Sequence, residues 1–313
     1  MGEDILKQIQ SGKPPRDKVP QRGKSNVTFD AKSNLLNLGK KKSTRNFLNV
    51  AHSKKFMQTL LIASKCHDFV SNEKTASIRE LYYQLKHTIA GSKENTFEDQ
   101  SESDPLIVDL ETMLNVLREE LHLKADDKGT LIGNIVIEDS GDMIDCSKLG
   151  RSGLSVPSIV EHYKFHEVEA DYLLVIETGA MFDRLVEEKY PQKNNCIMVS
   201  TKGQAARGCR RLINRLNKEV EMPVIMFTDG DPWGYYIYSV IKAGSMALAH
   251  ESGRLGTPET QFVGMTMSDI ESYGLEKVTE QLKDVNKKRI NELLQYPKKK
   301  KKQWRHQLNL MKQ

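Results

Sequence analysis

The chain has 313 residues, enough for two ordinary domains that each bury a core. Only 38% of them are hydrophobic and no apolar run nears the ~20 residues of a membrane span, which excludes a helical membrane protein. The start, MGEDILKQIQSGKPPRDKVP, lacks the apolar core of a secretory signal. Cys66, Cys146, Cys196 and Cys209 show neither CxxC pairing nor zinc-ligand spacing, so a reducing, cytoplasmic setting without disulfides or zinc is expected. The net charge of +5 is unevenly spread. Residues 1–58 hold 13 Lys/Arg against 4 Asp/Glu, residues 281–313 hold 11 against 2, and the stretch between holds 23 against 36. Basic ends suit phosphate contacts, although a solvated tail has the same composition. An acidic middle suits carboxylates that hold cations.

In chain order, residues 1–45 are rich in Lys, Gly, Pro and Ser without a sustained period, and are expected to be flexible and to join no core. NFLNVAHSKKFMQTLLIASKCHDFV, from Asn46, predicts a helix, and EKTASIRELYYQLKHTIA a second one opened by a Thr or Ser cap. Residues 91–104 read as a polar loop. PLIVDLETMLNVLREELHL has apolar residues at helical spacing, and GTLIGNIVIEDSGDMIDCS alternates like a hairpin turning at Ser140-Gly141-Asp142. Helices followed by a hairpin predict a winged helix over residues 46–150, a common DNA-docking unit. RSGLSVPS, residues 151–158, marks a boundary.

From 158 to 313 the pattern changes. DYLLVIE, NCIMVS, PVIMFTD and TQFVGMT are short apolar runs bounded by turns, and residues 179–190, 204–219 and 233–250 between them read as helices. That alternation predicts an α/β domain with a mostly parallel sheet. Ligands of such sheets collect at the carboxyl ends of strands. Glu177 falls there after DYLLVI, and Asp229 and Asp231 fall there after PVIMF. Alternate residues of an extended segment point the same way, so the two aspartates can face one point while Gly230 lets the chain turn. Oxygen ligands without His or Cys favour Mg²⁺ over Zn²⁺. The plainer alternative is that Asp229 and Asp231 shape a turn and cap the next helix, with Pro232 at its first position.

A strand-end Glu followed by a strand ending in D-x-D, within alternating β/α structure, resembles the Toprim fold of topoisomerases, primases and some nucleases. The longer stretch TDGDPWGYYIYSVIKAGSMALAHESGRLGTPETQFVG closely resembles the A subunits of the archaeal topoisomerase VI family, the type IIB topoisomerases. The meiotic double-strand-break transesterase is a more distant likeness. The resemblance spans roughly residues 45–295 and implies Mg²⁺ on Glu177, Asp229 and Asp231. It also implies a nucleophilic tyrosine in an R-x-x-Y-Y motif on a CAP-like winged-helix domain, matched here by Arg79-Glu80-Leu81-Tyr82-Tyr83.

Two adjacent tyrosines leave the nucleophile to be chosen. On a helix Ile78, Tyr82, Leu85 and Ile89 make one apolar stripe, which assigns Tyr82 to a core. Arg79, Tyr83 and His87 recur at i+4 along another face, so Tyr83 is the expected nucleophile, in agreement with the family's use of the second tyrosine. A phenol with a pKa near 10 is mostly protonated at neutral pH, so attack needs a proton acceptor or a lowered pKa. Arg79 would stabilise phenolate or phosphate charge. His87 is either the proton acceptor or an inert surface histidine.

STKGQAARGCRRLINRL places Lys202, Gly203 and Arg210 at a strand-to-helix turn suited to DNA phosphate. The family commonly has Pro and Thr where this chain has Ala205 and Cys209. Arg207, Arg211 and Arg215 read equally as a solvated helix face, and the PKKKKK run at 297–302 as nonspecific phosphate contact or solvation. The family carries a further C-terminal section, and this sequence ends soon after Trp304, which reads as a shortened C-terminus.

The resemblance therefore implies the DNA-cleaving component of an ATP-dependent type IIB topoisomerase, forming a transient 5′-phosphotyrosyl double-strand break for relaxation and decatenation. It implies a homodimer in which one copy's tyrosine meets the other's metal site, and an ATP-binding B subunit completing an A2B2 heterotetramer. No G-x-x-x-x-G-K-[ST] loop occurs here, consistent with ATP being handled by that partner. No membrane association is expected, and the setting would be the nucleoid. The alternatives are a standalone break-forming transesterase and a catalytically silent winged-helix DNA-binding protein.

Overall fold

Asn49 and Ser77 open the two helices that organise the first half of the chain, and both do so by accepting backbone N–H groups at the helix start. The computed structural model describes residues 1–295 and 302–312, so most of the PKKKKK run at 297–302 lies outside it. The chain divides into two compact units, residues 1–28 with 38–126, and residues 29–37 with 127–313.

The first unit begins with α1 (Gly2–Gln10) and β1 (Arg16–Pro20). A small hairpin follows, β2 (Val27–Asp30) and β3 (Leu35–Leu38), whose tip is grouped with the second unit. Then come β4 (Lys42–Asn46), α2 (Val50–Ser71), β5 (Ala76–Ser77), α3 (Ile78–Leu85), α4 (Gln100–Leu114) and β6 (Leu123–Lys124). β1 pairs antiparallel with β4, and β5 pairs parallel with β6. Ile62, Phe69, Leu81, Phe97, Leu106, Ile107 and Leu110 form the core beneath α2, α3 and α4.

The N-terminal 45 residues correct the expectation of a flexible segment outside any core. Ile5 and Val19 are buried, and Arg22 and Arg45 both pair with the buried carboxylate of Asp109 on α4. Asn26 closes the intervening loop by donating to the carbonyls of Gln21 and Lys41 and accepting from the Lys41 N–H. Long-range polar pairing thus does what local periodicity does not. The helix predicted from Pro105, α4, also starts earlier than predicted. Asp99 caps it by accepting the Ser101 N–H at 2.7 Å, and it ends at Asn115 in the left-handed region, φ 57°.

In the second unit come β7 (Thr130–Gly133), β8 (Val136–Asp139), β9 (Asp142–Asp145), β10 (Leu154–Ser155), β11 (Lys164–His166) and β12 (Tyr172–Ile176). They are followed by α5 (Gly179–Glu187), α6 (Tyr190–Lys193), β13 (Cys196–Ser200), α7 (Arg207–Glu219), β14 (Val224–Phe227), α8 (Pro232–Ala243) and α9 (Ser252–Leu255). The chain continues with β15 (Gln261–Phe262), α10 (Met267–Ser272), α11 (Asp284–Leu294) and α12 (Lys302–Leu310).

The predicted hairpin forms as β8 and β9 and turns at Ser140-Gly141, but it belongs to this unit and not to the helical one. This corrects the domain reading of 46–150: β7 joins the large sheet beside β13, and β8–β9 pair with β11 in a separate sheet. Gly133 explains the close docking. With φ 137° and only 2.6 Å between a built Cβ and the Cys196 carbonyl oxygen, no larger residue fits beside β13.

The large sheet runs β10-β7-β13-β12-β14-β15, and its β13-β12-β14-β15 part is parallel as predicted. Alternate residues serve opposite faces: Leu173, Val175, Ile197 and Val199 pack with α7 and α8, whereas Leu174, Ile176 and Met198 pack with Phe182 of α5. The connection after β12 therefore leaves on one face and the connection after β14 on the other. The gap between these neighbouring strands is a topological switch point. Ile197 is fully buried in an interior strand, so Ile197→Ala is expected to cost about 2–5 kcal/mol, measurable as a lowered urea midpoint by circular dichroism.

Candidate active site

Tyr82 and Tyr83 occupy consecutive positions of α3 and have opposite surroundings. The helix is fixed at its start by a reciprocal capping box, the Glu80 N–H donating to Ser77 Oγ at 3.0 Å and the Ser77 N–H donating to the Glu80 carboxylate. Tyr82 is 7% exposed and lies in the core, its hydroxyl donating to the Glu98 carbonyl at 3.0 Å and accepting from Lys86 Nζ. Tyr83 is 59% exposed. Arg79, one turn earlier, donates to the Tyr83 hydroxyl at 3.4 Å and holds its guanidinium 5.8 Å from the ring centre. That hydrogen bond, with the arginine's charge behind it, lowers the Tyr83 pKa by favouring phenolate. The same interaction raises the pKa of Arg79.

His87 does not share this face. The helix ends at Leu85, because the Thr96 hydroxyl donates to the Leu85 carbonyl at 2.6 Å and accepts the His87 N–H at 3.0 Å. Those bonds replace the next helical turn, so the i+4 relation of His87 to Tyr83 is lost and Ile89 leaves the apolar stripe. Sequence spacing could not reveal this stop.

The acids gather at the switch point of the second unit. Ile176 and Phe227 are paired in register, so Glu177 and Thr228 leave adjacent strand ends together. Glu177 is 8% exposed, and its Oε2 is buried without a hydrogen-bond partner. Burial first, then the charges of Asp229 and Asp231, push its pKa up to about 7. Asp229 is exposed and accepts from the Thr178 hydroxyl, which lies 3.2 Å from each carboxylate oxygen. Asp231 is exposed and caps α8, its Oδ1 accepting the Gly234 N–H at 2.7 Å, with Pro232 at the first helical position. The turn is tight: a Cβ on Gly234 would lie 2.2 Å from the Asp229 carbonyl oxygen.

The plainer reading of D-x-D, a cap and a turn, is therefore correct for Asp231 and does not displace the other. A cap uses one oxygen of the carboxylate. A buried carboxylate oxygen without a hydrogen-bond partner, whose pKa two nearby carboxylates raise, has the chemistry that a hard divalent cation would offset, although the three acids do not bring one oxygen each within 4.8 Å of one another, so joint direct ligation requires them to draw closer. Thr178 was missed by sequence reasoning, although its place directly after the strand-end Glu was the signal.

Lys202 lies exposed in the turn after β13, in the left-handed region at φ 51°. Arg210 is 3% exposed on α7, so the structure does not bring it to the surface beside Lys202. The expectation of a solvated arginine face on α7 is corrected for two residues. Arg207 pairs with buried Glu251 at 2.5 Å, and Arg215 donates to the carbonyls of Val160 and Tyr163 and stacks 4.8 Å from the Phe165 ring centre. Arg211 alone stays partly exposed, paired with Glu161. No helix among the described residues is long and apolar enough to cross a membrane.

A tyrosine-bearing helical unit joined to a sheet with strand-end acids at its switch point is the arrangement of one class of DNA-acting enzyme, and comparison agrees. Residues 54–123 match the family described as "Type IIB DNA topoisomerase", and residues 126–169 the "All-beta domain in DNA topoisomerase VI alpha subunit". Residues 172–313 match the Toprim domain shared by Spo11 and the topoisomerase 6 A subunit. The middle match covers the β8–β9 hairpin, the segment that sequence spacing assigns to a winged helix. Among known proteins, the chain is 55% identical over 316 residues to the A subunit of type 2 DNA topoisomerase 6 from Pyrococcus abyssi, covering 98% of this chain and 83% of that one. It is 54% identical to that of Pyrococcus horikoshii with the same coverage, and 40% identical to that of Methanothermobacter thermautotrophicus over 99% and 86%. The chain belongs to the family of topoisomerase VI A subunits, and is an enzyme subunit of the type IIB topoisomerases.

Proposed function

We propose that the protein cleaves both strands of DNA by transesterification, with Tyr83 as nucleophile. The Tyr83 oxygen forms a bond to a backbone phosphorus as the bond to the 3′ oxygen breaks. The phenolic proton is lost, the departing 3′ oxygen takes one up, and the product is a 5′-phosphotyrosyl link with a free 3′-hydroxyl. One phosphodiester replaces another, so the link retains the energy for resealing. The observation that carries this reading is the contrast on α3: of two adjacent tyrosines, only Tyr83 is exposed and bound by an arginine. Arg79 favours the phenolate and stands ready to hold phosphate charge.

Glu177, Asp229 and Asp231 would hold Mg²⁺ at the switch point. When bound, Mg²⁺ supplies positive charge to the phosphate and the leaving oxygen. Thr178 orients Asp229, and the cap on α8 fixes one oxygen of Asp231. Lys202 is placed to meet DNA phosphate, a role that the burial of Arg210 does not favour for its guanidinium.

By relation to the family, two copies pair so that one copy's Tyr83 serves the other's acids, making a staggered double-strand break. An ATP-binding B subunit completes an A2B2 assembly and couples cleavage to strand passage, giving relaxation and decatenation in the nucleoid. The assignment is tested by trapping the complex with denaturant and mapping the DNA-linked peptide: linkage at Tyr83 supports it, and linkage at Tyr82 overturns it.

Arg79→Ala gives a second test with a defined sign. Removing the guanidinium removes the interaction that lowers the Tyr83 pKa, so the rising alkaline limb of the cleavage-rate profile moves to higher pH. At neutral pH the single-turnover cleavage rate is expected to fall at least about tenfold, because less of Tyr83 is phenolate and a charged donor to the phosphate is lost.

A further inference from the structure

We propose that Arg289 is a positioning residue for the acidic half-site, fixing the first turn of α8 and through it Asp231. The inference rests on the cation reading above. α8 is held unevenly along its length. Ile237, Tyr238 and Ile241 lie in the main core, whereas Trp233 and Tyr236 of the first turns face α11. The Arg289 guanidinium lies 4.4 Å from the Trp233 ring centre and 4.1 Å from that of Tyr236, within the about 6 Å at which a cation and an aromatic face attract. The two rings meet edge to face at 89°, so one planar cation bridges both.

The clamp is oriented from both sides. Glu292 accepts from Arg289 at 2.8 Å, and Asn286 of the same helix accepts the Trp233 indole N–H at 3.2 Å. Arg289 Nε is buried without an acceptor, which leaves the rings to offset its desolvation. Between Trp233 and Asp231 stands only Pro232, whose ring fixes its own φ, so a shift of Trp233 is passed to the aspartate with little slack. The Asp231 cap on Gly234 couples the same turn to the carboxylate directly. A shell that orients ligands in this way sets metal affinity without touching the metal.

The test uses the full chain carrying Trp304→Phe, which leaves Trp233 as the only tryptophan and as a reporter two residues from Asp231. Mg²⁺ is titrated against Trp233 emission, and against DNA cleavage by the assembled complex. In Arg289→Ala the Mg²⁺ midpoint is expected to rise about tenfold in both readouts, with saturated cleavage within about twofold of the parent. Arg289→Lys should fall between the two, because an ammonium keeps the charge but cannot lie flat against the rings. Asn286→Ala, a milder change should Arg289→Ala fail to fold, is expected to shift the midpoint about threefold in the same direction. A lowered melting temperature with an unchanged Mg²⁺ midpoint in these variants overturns the proposal. Glu177→Gln separates the two layers: it should weaken the parent's emission response. A parent with no response refutes the cation reading and this inference together, whereas a parent response that is unshifted in Arg289→Ala refutes the clamp alone.

Discussion

Tyr83→Phe is expected to abolish the covalent protein–DNA adduct and to lower strand cleavage by at least about a thousandfold, the scale on which loss of a catalytic nucleophile is felt. The change deletes one oxygen from a side chain that is 59% exposed, so neither the α3 core contacts nor the capping box is disturbed. DNA affinity and melting temperature should stay within error of the parent. Tyr82→Phe makes the opposite pattern. Its hydroxyl is engaged by Glu98 and Lys86, so its removal costs about 1 kcal/mol of stability and leaves the adduct in place. Gel separation of protein-linked DNA, alongside thermal melts, distinguishes the two residues. Equal adduct formation by Tyr83→Phe and the parent would remove Tyr83 from the chemistry.

Asp229→Ala is expected to reduce Mg²⁺-dependent cleavage by at least about a hundredfold, since it removes a proposed anionic ligand from a site whose cation would stabilise developing charge. It also frees the Thr178 hydroxyl and relieves one of the charges that raise the Glu177 pKa. The fold should not suffer, because repulsion among the three carboxylates works against it. Melting without Mg²⁺ is therefore expected to be unchanged or slightly higher in Asp229→Ala, while Mg²⁺ should stabilise the parent more than the variant. Loss of cleavage with a large drop in melting temperature would point to a structural aspartate instead.

The parts that sequence reading placed well are those whose signal is local. The apolar runs of β12, β13 and β14 are each largely buried within their own four or five residues, and their alternation with helices fixes a parallel sheet. Glu177, Asp229 and Asp231 follow from that geometry, because strand ends of one parallel sheet lie side by side. The pairing of Arg79 with Tyr83 follows from one helical turn.

The misplaced parts depend on partners far along the chain. β7 reads as half of a hairpin until β13, more than sixty residues later, supplies its neighbour. The N-terminal segment reads as a tail until Asp109 engages Arg22 and Arg45. His87 falls off the α3 face because of Thr96, and Arg207 and Arg215 are drawn inward by Glu251 and by the carbonyls of Val160 and Tyr163. Arginine at helical spacing looks the same whether its partner is water or a buried acid.

The proposed pairing of two copies makes one testable demand, that a tyrosine from one copy act with the acids of another. Tyr83→Phe and Asp229→Ala chains carrying different tags can be co-expressed, purified as mixed dimers through both tags, and assembled with ATP plus the B subunit on supercoiled circles. In a mixed dimer of the split kind, one site retains both Tyr83 and Asp229 while the other lacks both. The account predicts single-strand nicks with protein on the 5′ end, from mixed dimers only. Mixed dimers as inert as either single variant would contradict it.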